Sequence, residues 1–239
     1  MKLKNKMYLV VGGTRGIGAE IVRRLHDGGA DVITASRNKT DHTVEHVNHI
    51  QVDVTSDDIS SFAEKLPDRL DGVAYCPGTI TLRPFQSMKL NDFTNDLNIN
   101  LLGAVRVIQQ VIPHLKRNGG GSVVLFSTVA TRIGMKFHAS IAAAKAAVEG
   151  LAISLAAEYS SANIRFNVIA PSLTNTSLAQ HLLSNETKQK AASERHPLNR
   201  FGDPSDIASL SVFLLSDDSG WITGQIIPVD GGLSSVKPL

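Results

Sequence analysis

Residues 8–18 read YLVVGGTRGIG, and this stretch decides the fold. Tyr8, Leu9, Val10 and Val11 form a short apolar run that stops at glycines, the pattern of a buried strand. Past the glycines, Ile17, Ile21, Val22 and Leu25 recur at helical spacing until Gly28 and Gly29 end them. Strand, glycine-rich turn and helix, in that order, open a doubly wound α/β sheet. The turn is Gly12-Gly13-Thr14-Arg15-Gly16-Ile17-Gly18. Its glycines let the backbone approach a pyrophosphate, and the helix start adds free N–H groups and a favourable dipole. The spacing is G-x-x-x-G-x-G rather than the commoner G-x-G-x-x-G, so its position between a strand and a helix carries the assignment.

The rest of the chain repeats the alternation. Strands are expected at Val32 to Ala35, Ile50 to Val52, Gly72 to Tyr75, Val123 to Phe126, Arg165 to Ile169 and Ile226 to Val229. A helix should start at Ser56-Asp57-Asp58, where capping and acidic residues meet. A long one should run from Leu90 to Leu115, another over HASIAAAKAAVEGLAIS (residues 138–154), and another from Pro204. Alternating strands and helices mean right-handed βαβ units and a parallel sheet covered on both faces. No linker or repeat divides residues 1–239, so one Rossmann-type domain is expected, with the polar segment 174–194 as a lid-like insertion. His181, Leu182 and Leu183 give that lid a partly apolar character.

Composition narrows the function classes. A net charge of +2 over 239 residues, without long basic runs, does not point to nucleic acid as a partner. No stretch is expected to reach the length of a membrane span, and the short basic start is broken at once by the glycine turn, so no signal peptide is read. The single cysteine, Cys76, excludes an internal disulfide and a cysteine-rich metal site. A cytoplasmic protein acting on a small molecule, with no metal, is the expectation.

The second strand ends at Ser36-Arg37. A carboxylate there would bind the ribose 2′-hydroxyl of NAD. A hydroxyl and a cation, joined by Arg15 in the turn, suit a 2′-phosphate, so NADP (as NADPH) is the expected cofactor.

In the helix at 138–154, Ile141, Ala144, Val148, Ala152 and Leu155 share one face, and Lys145 falls on it too. A lysine among apolar positions needs a partner, because a buried ammonium is costly. Here the chain resembles the short-chain dehydrogenase/reductase family across nearly its whole length. The matching pieces are GGTRGIG, VDVT around Asp53, NINLLG around Asn100 and GGGSVVLFSTVA. AAAK ending at Lys145, NIRFNVIAPSLTNT, PLNRFGDPSDIA and GQIIPVDGG complete them. The resemblance implies a seven-stranded parallel sheet, a nicotinamide cofactor and often a homotetramer. It implies a pyrophosphate site at Gly12, Gly16 and Gly18, with Thr14, Arg15 and Ile17 in the same loop, and adenine contacts at Asp53 and Val54. Pro171 and Thr176 would meet the nicotinamide. Asn100 and Lys145 would be catalytic, with Lys145 bonding the cofactor ribose.

Four positions depart from the family pattern. Its tyrosine, four residues before the lysine, is Ile141 here; its serine, thirteen residues earlier, is Thr128. The strand end Asn-Asn-Ala-Gly becomes Tyr75-Cys76-Pro77-Gly78, and the glycine after Pro171 becomes Ser172. Cofactor binding survives these changes, whereas the usual proton donor does not. Thr128 offers a hydroxyl to a substrate oxygen, or serves its own backbone. His138, seven residues before Lys145, reaches the same face if the helix extends that far, or else stands in the preceding loop. Tyr75 ends a strand at the sheet edge where ligands bind, or packs in the core. Ser140 reads best as a helix cap. Two functions stay open: an NADP-dependent oxidoreductase acting on an activated C=C bond or a carbonyl, and an NADP(H)-binding sensor or structural partner without turnover.

Overall fold

The structure, a computed structural model, describes residues 2–38, 44 and 47–237. Seven parallel strands form one sheet: β1 (Met7–Val11), β2 (Asp31–Ser36), β3 (Asn48–Gln51), β4 (Gly72–Tyr75), β5 (Gly121–Phe126), β6 (Ile164–Pro171) and β7 (Ile226–Val229). Their order is β3-β2-β1-β4-β5-β6-β7. The chain moves outward one way from β1 and then the other way from β4. The crevice at this reversal, above the carboxyl ends of β1 and β4, is where ligands bind in such sheets.

The period-two alternation of the strands builds two cores. Leu9 and Val11 of β1 face one side with Val73 and Tyr75 of β4. There they meet Val107 and Val111 of α4 (Gly103–Arg117) and Val148 of α5 (Ala139–Glu158). Tyr8 and Val10 face the other side. They meet Ile21 and Leu25 of α1 (Gly16–Asp27) and Ile207 and Val212 of α7 (Pro204–Leu215). The remaining helices are α2 (Ser60–Ala63), α3 (Leu90–Leu97) and α6 (Glu186–Glu194).

Three expectations are corrected. The helix read from Ser56 begins at Ser60, because the Asp58 carboxylate accepts from the Ser60 N–H at 2.8 Å in a local turn that holds the chain out of the helix up to its N-cap, Ile59. The long helix is continuous but not regular. A widened π-turn, Asn98–Leu102, joins α3 to α4, and the Gly103 N–H reaches back five residues to the Asn98 carbonyl. Finally, α5 is long and apolar enough to cross a membrane by length and composition, against the expectation that no stretch is. Its apolar content belongs to the core: Ile141, Ala144, Val148 and Ala152 are buried, with Lys145 among them.

Candidate active site

The turn between β1 and α1 is a backbone cradle. Gly12 and Gly16 take left-handed conformations, with φ of +74° and +52°, that side chains rarely adopt. A Cβ on Gly12 would come 3.1 Å from the Pro77 nitrogen, and one on Gly18 would strike the Gly12 carbonyl. The side chain of Arg15, the N-cap of α1, makes no capping bond and so takes up none of the N–H groups of the first turn. Thr14 is buried in the cradle and Arg15 exposed beside it. Thr176, from the loop after β6, leans over: its Cγ2 lies 3.2 Å from where a Gly16 Cβ would be.

At the end of β2, the Ser36 hydroxyl donates to the Asn38 carbonyl at 2.8 Å, and Arg37 is exposed. Asp53 lies just beyond β3. Its Oδ1 accepts from the Thr55 hydroxyl and N–H at 2.7 and 2.9 Å. Those two bonds, then the attraction of Arg37, hold its carboxyl below the ordinary value against the effect of burial. Asp53 is therefore a turn residue through one oxygen, with the second oxygen left over. Val54 is buried, and its carbonyl accepts from Arg106 at 3.2 Å.

The floor of the site is formed by α5 and the π-turn. Lys145 is 8 % exposed and donates to the Phe126 carbonyl at 2.8 Å. Burial pushes its ammonium down to about 8, against the pull of Cys76 and Asp96. Asn100, inside the widened turn, donates its side-chain amide to the Asp96 carbonyl and to the Thr79 hydroxyl, both at 2.8 Å. Its Oδ1 is buried and has no hydrogen-bond partner in the protein. A Cβ on Gly78 would lie 3.3 Å from that Oδ1 and 3.6 Å from the Lys145 amine, so both groups gather beneath Gly78. Asp96 is fully buried and accepts from the hydroxyls of Thr79 and Thr81.

A cavity of about 610 Å³ opens over this floor. It brings Ile17, Pro171 and Thr176 together with Thr128, His138, Ile141 and Lys145. Most of its lining is apolar, including Ile80, Leu82, Phe126 and Val129, and the lid adds Leu178, Ala179 and Leu182. Gly12, Gly16, Gly18, Ser36, Arg37, Asp53 and Val54 lie outside it, at the ends of β1 to β3. His181 and Leu183 do not line it; the His181 carbonyl accepts instead from Lys188 at 3.0 Å.

The hydroxyl and imidazole candidates separate clearly. Thr128 accepts from the Ala130 N–H at 3.3 Å, a local turn bond, while its side chain still faces the cavity. His138 stands at the N-cap position, just before α5, without a side-chain capping bond; it lines the cavity, with Nδ1 2.7 Å from the Lys136 carbonyl. Tyr75 is not available: its hydroxyl donates to the Ile99 carbonyl at 2.6 Å, and burial pushes its pKa far above the ordinary value. The π-turn is the reason: the Gly103 N–H goes to the Asn98 carbonyl rather than to that of Ile99, and Tyr75 takes up the Ile99 carbonyl instead. Ser140 is not the cap of α5; it lies within the first turn, buried, its Oγ without a partner. Reading the sequence missed Thr79 and Asp96, and it missed His196, whose Nε2 lies 2.8 Å from Ser172 Oγ at the cavity wall. Only Ser172, as a departure from the family glycine, gave a signal.

A parallel sheet with a glycine cradle at its reversal defines a dinucleotide-binding α/β protein. The left-handed glycines, the close backbone approach and the orphaned Asn100 oxygen fit a nicotinamide dinucleotide. The family model described as enoyl-(acyl carrier protein) reductase matches residues 11–234. A tropinone reductase homolog of Arabidopsis thaliana is 36% identical over 97% of this chain and 94% of its own. Ligand-free aldohexose dehydrogenase of Thermoplasma acidophilum superposes with a TM-score of 0.91 at 29% identity, over 99% of this chain and 97% of that one. A tyrosine-to-phenylalanine variant of ElxO with NADPH bound superposes at 0.89 and 26% identity, over 97% and 100%. The chain belongs to the short-chain dehydrogenase/reductase family and is an oxidoreductase of that type.

Proposed function

We propose that the protein uses NADPH to reduce a conjugated C=C bond in a small, largely apolar substrate. The observation that carries this reading is Ile141. It is buried, lines the cavity and stands one turn before Lys145, where the family resemblance implies a tyrosine acid. When bound, a reduced nicotinamide supplies a hydride. Gly12, Gly16 and Gly18, with Thr14 and Ile17, would carry its pyrophosphate, and Asp53 and Val54 its adenine. Arg15, Ser36 and Arg37 would take the 2′-phosphate. Lys145, Asn100, Pro171 and Thr176 would hold the nicotinamide end.

A carbonyl reduced at its own carbon leaves a localised alkoxide that needs a positioned acid. An enone spreads the new charge over an enolate, which hydrogen bonds stabilise before carbon is protonated. Thr128, with its hydroxyl toward the cavity, is placed for such a bond. The enoyl reductase description of the matching family model supports the C=C reading, and the NADPH-bound ElxO variant supports NADPH retention without a tyrosine hydroxyl. The tropinone reductase homolog supports carbonyl reduction instead, with His138 or water as acid.

A second reading, an NADP(H) binder without turnover, is favoured by the engagement of the Lys145 amine with the Phe126 carbonyl. NADPH oxidation by the purified protein against enones, quinones and ketones separates the readings. Oxidation with enones is expected; oxidation with no acceptor would leave the binder.

We also propose a twofold-symmetric homotetramer. Leu102 and Ile153 are exposed on the helical layer, and Trp221 stands fully exposed before the edge strand β7. Light scattering at micromolar concentration should give four chains; a monomer would contradict the assignment.

A further inference from the structure

Ser172 follows Pro171 at the end of β6 and faces the large cavity. Its Oγ is 2.8 Å from Nε2 of His196. The other ring nitrogen, Nδ1, is 2.7 Å from the Ala192 carbonyl, one turn back along the chain. A carbonyl only accepts, so this contact keeps a hydrogen on Nδ1. Nε2 is then the nitrogen that gains or loses the proton. As imidazole it accepts the Ser172 hydroxyl; as imidazolium it donates to Oγ.

His196 is 3 % exposed, yet it is not sealed in. Behind it lies a second cavity of about 220 Å³, which Ser172 and His196 share with Arg200, Asp206 and Asp230. The pair thus lies between the large cavity and a smaller one whose lining includes the charged groups Arg200, Asp206 and Asp230. Burial works against the charge on Asp230, but hydrogen bonds from Ser234 and Gly232, with the attraction of His196, keep its carboxyl below the ordinary value.

We propose that Ser172 and His196 form a proton relay from the small cavity to the substrate oxygen in the large one. The proposal rests on the reductase reading above. Ser172 is the group that touches the substrate, and His196 acts through it. As the substrate oxygen takes up negative charge, the Ser172 O–H bond breaks and the proton forms a bond to that oxygen. Oγ regains hydrogen as the His196 Nε2–H bond breaks, leaving a neutral ring with Nδ1–H on Ala192. The ring recovers its proton from water in the small cavity. The substrate gains one hydride from NADPH and one proton from the relay, so charge and atoms balance. In an enone, the oxygen is borne two carbons away from the carbon that takes the hydride. An acid for an enolate therefore belongs at a different place in the cavity from residue 141, which matches an apolar Ile141 together with a polar Ser172.

Two measurements test this. Nitrogen NMR of the imidazole in the cofactor-free protein should show His196, when neutral, as the Nδ1–H tautomer, and Ser172→Ala should shift its Nε2 signal. In turnover with an enone, Ser172→Ala and His196→Phe should lower kcat by about 10²–10⁴-fold with NADPH affinity unchanged. Ser172→Thr, which keeps the hydroxyl, should restore most of the rate, which a purely structural role for the serine does not predict. An Nε2–H tautomer, or a Ser172→Ala enzyme with unaltered kcat, overturns the relay while the reductase reading stands. A wild type that oxidises NADPH with no acceptor overturns both.

Discussion

The two ends of the crevice are built on different principles. At the end formed by β1, β2 and β3, the shape is made by backbone: left-handed Gly12 and Gly16, a Gly18 pressed against the Gly12 carbonyl, and a helix start whose N-cap side chain makes no capping bond. At the end formed by β4, β5 and β6, single side chains face the cavity: Thr128, Ile141, Lys145 and Ser172. On the proposed function, cofactor capture and proton supply are separable in this fold.

Lys145 belongs to both ends, so it tests the separation most severely. Lys145→Met should weaken NADPH binding in a fluorescence titration and abolish turnover in the same preparation. Intact turnover would place the chemistry away from α5. Ile141→Tyr should act on one end alone. With Lys145 and Asn100 already beneath the cavity, it should raise reduction of simple ketones by about 10²-fold or more, within the usual reach of a positioned acid. A change in NADPH affinity instead of kcat would mean the ends are not independent. Arg37→Ala should act on the other end, weakening NADPH by about tenfold, or 1.4 kcal/mol, and leaving NADH nearly unaffected. Equal losses for both nucleotides would remove the 2′-phosphate assignment.

A separate effect concerns stability. Burial lowers the Lys145 pKa to about 8 from its ordinary 10.5. Below the lower value the folded protein carries the full cost of a buried ammonium. Between the two values the unfolded chain still binds the proton and the folded chain does not, so stability rises with pH. Chemical denaturation of the cofactor-free protein at pH values near 8 and near 10 should show this rise for wild type, and Lys145→Met should lack that contribution.

The cofactor end was largely legible because local patterns specify it. An apolar run, glycines at fixed offsets and a 3.6-residue stripe all lie within residues 8–25, and the same logic located Lys145 on the inner face of α5. The proton-handling end was legible only as departures, in Ile141, Thr128 and Ser172. What completes it comes from tertiary contacts. His196 is 24 residues from Ser172, just past the lid segment, and no period links them. Tyr75 looked available because strand ends border the crevice, but alternation turned its ring toward α4 and the π-turn claimed its hydroxyl. Asp96 looked like an ordinary polar helix position, and nothing in its neighbours announced that Thr79 and Thr81 would fold back onto it.

The widened turn at Asn98–Leu102 also has a genetic consequence. It amounts to one surplus residue in an otherwise α-helical run, and one residue is worth about 100° of rotation. Deleting a single codon within it would heal the helix, improving its hydrogen bonding while swinging α4 and the Asn100 amide out of phase with α3. Most deletions in a buried helix are harmful because they spoil regular structure. This one would be harmful because it restores it, so the segment should tolerate substitutions that keep its length far better than any change in length.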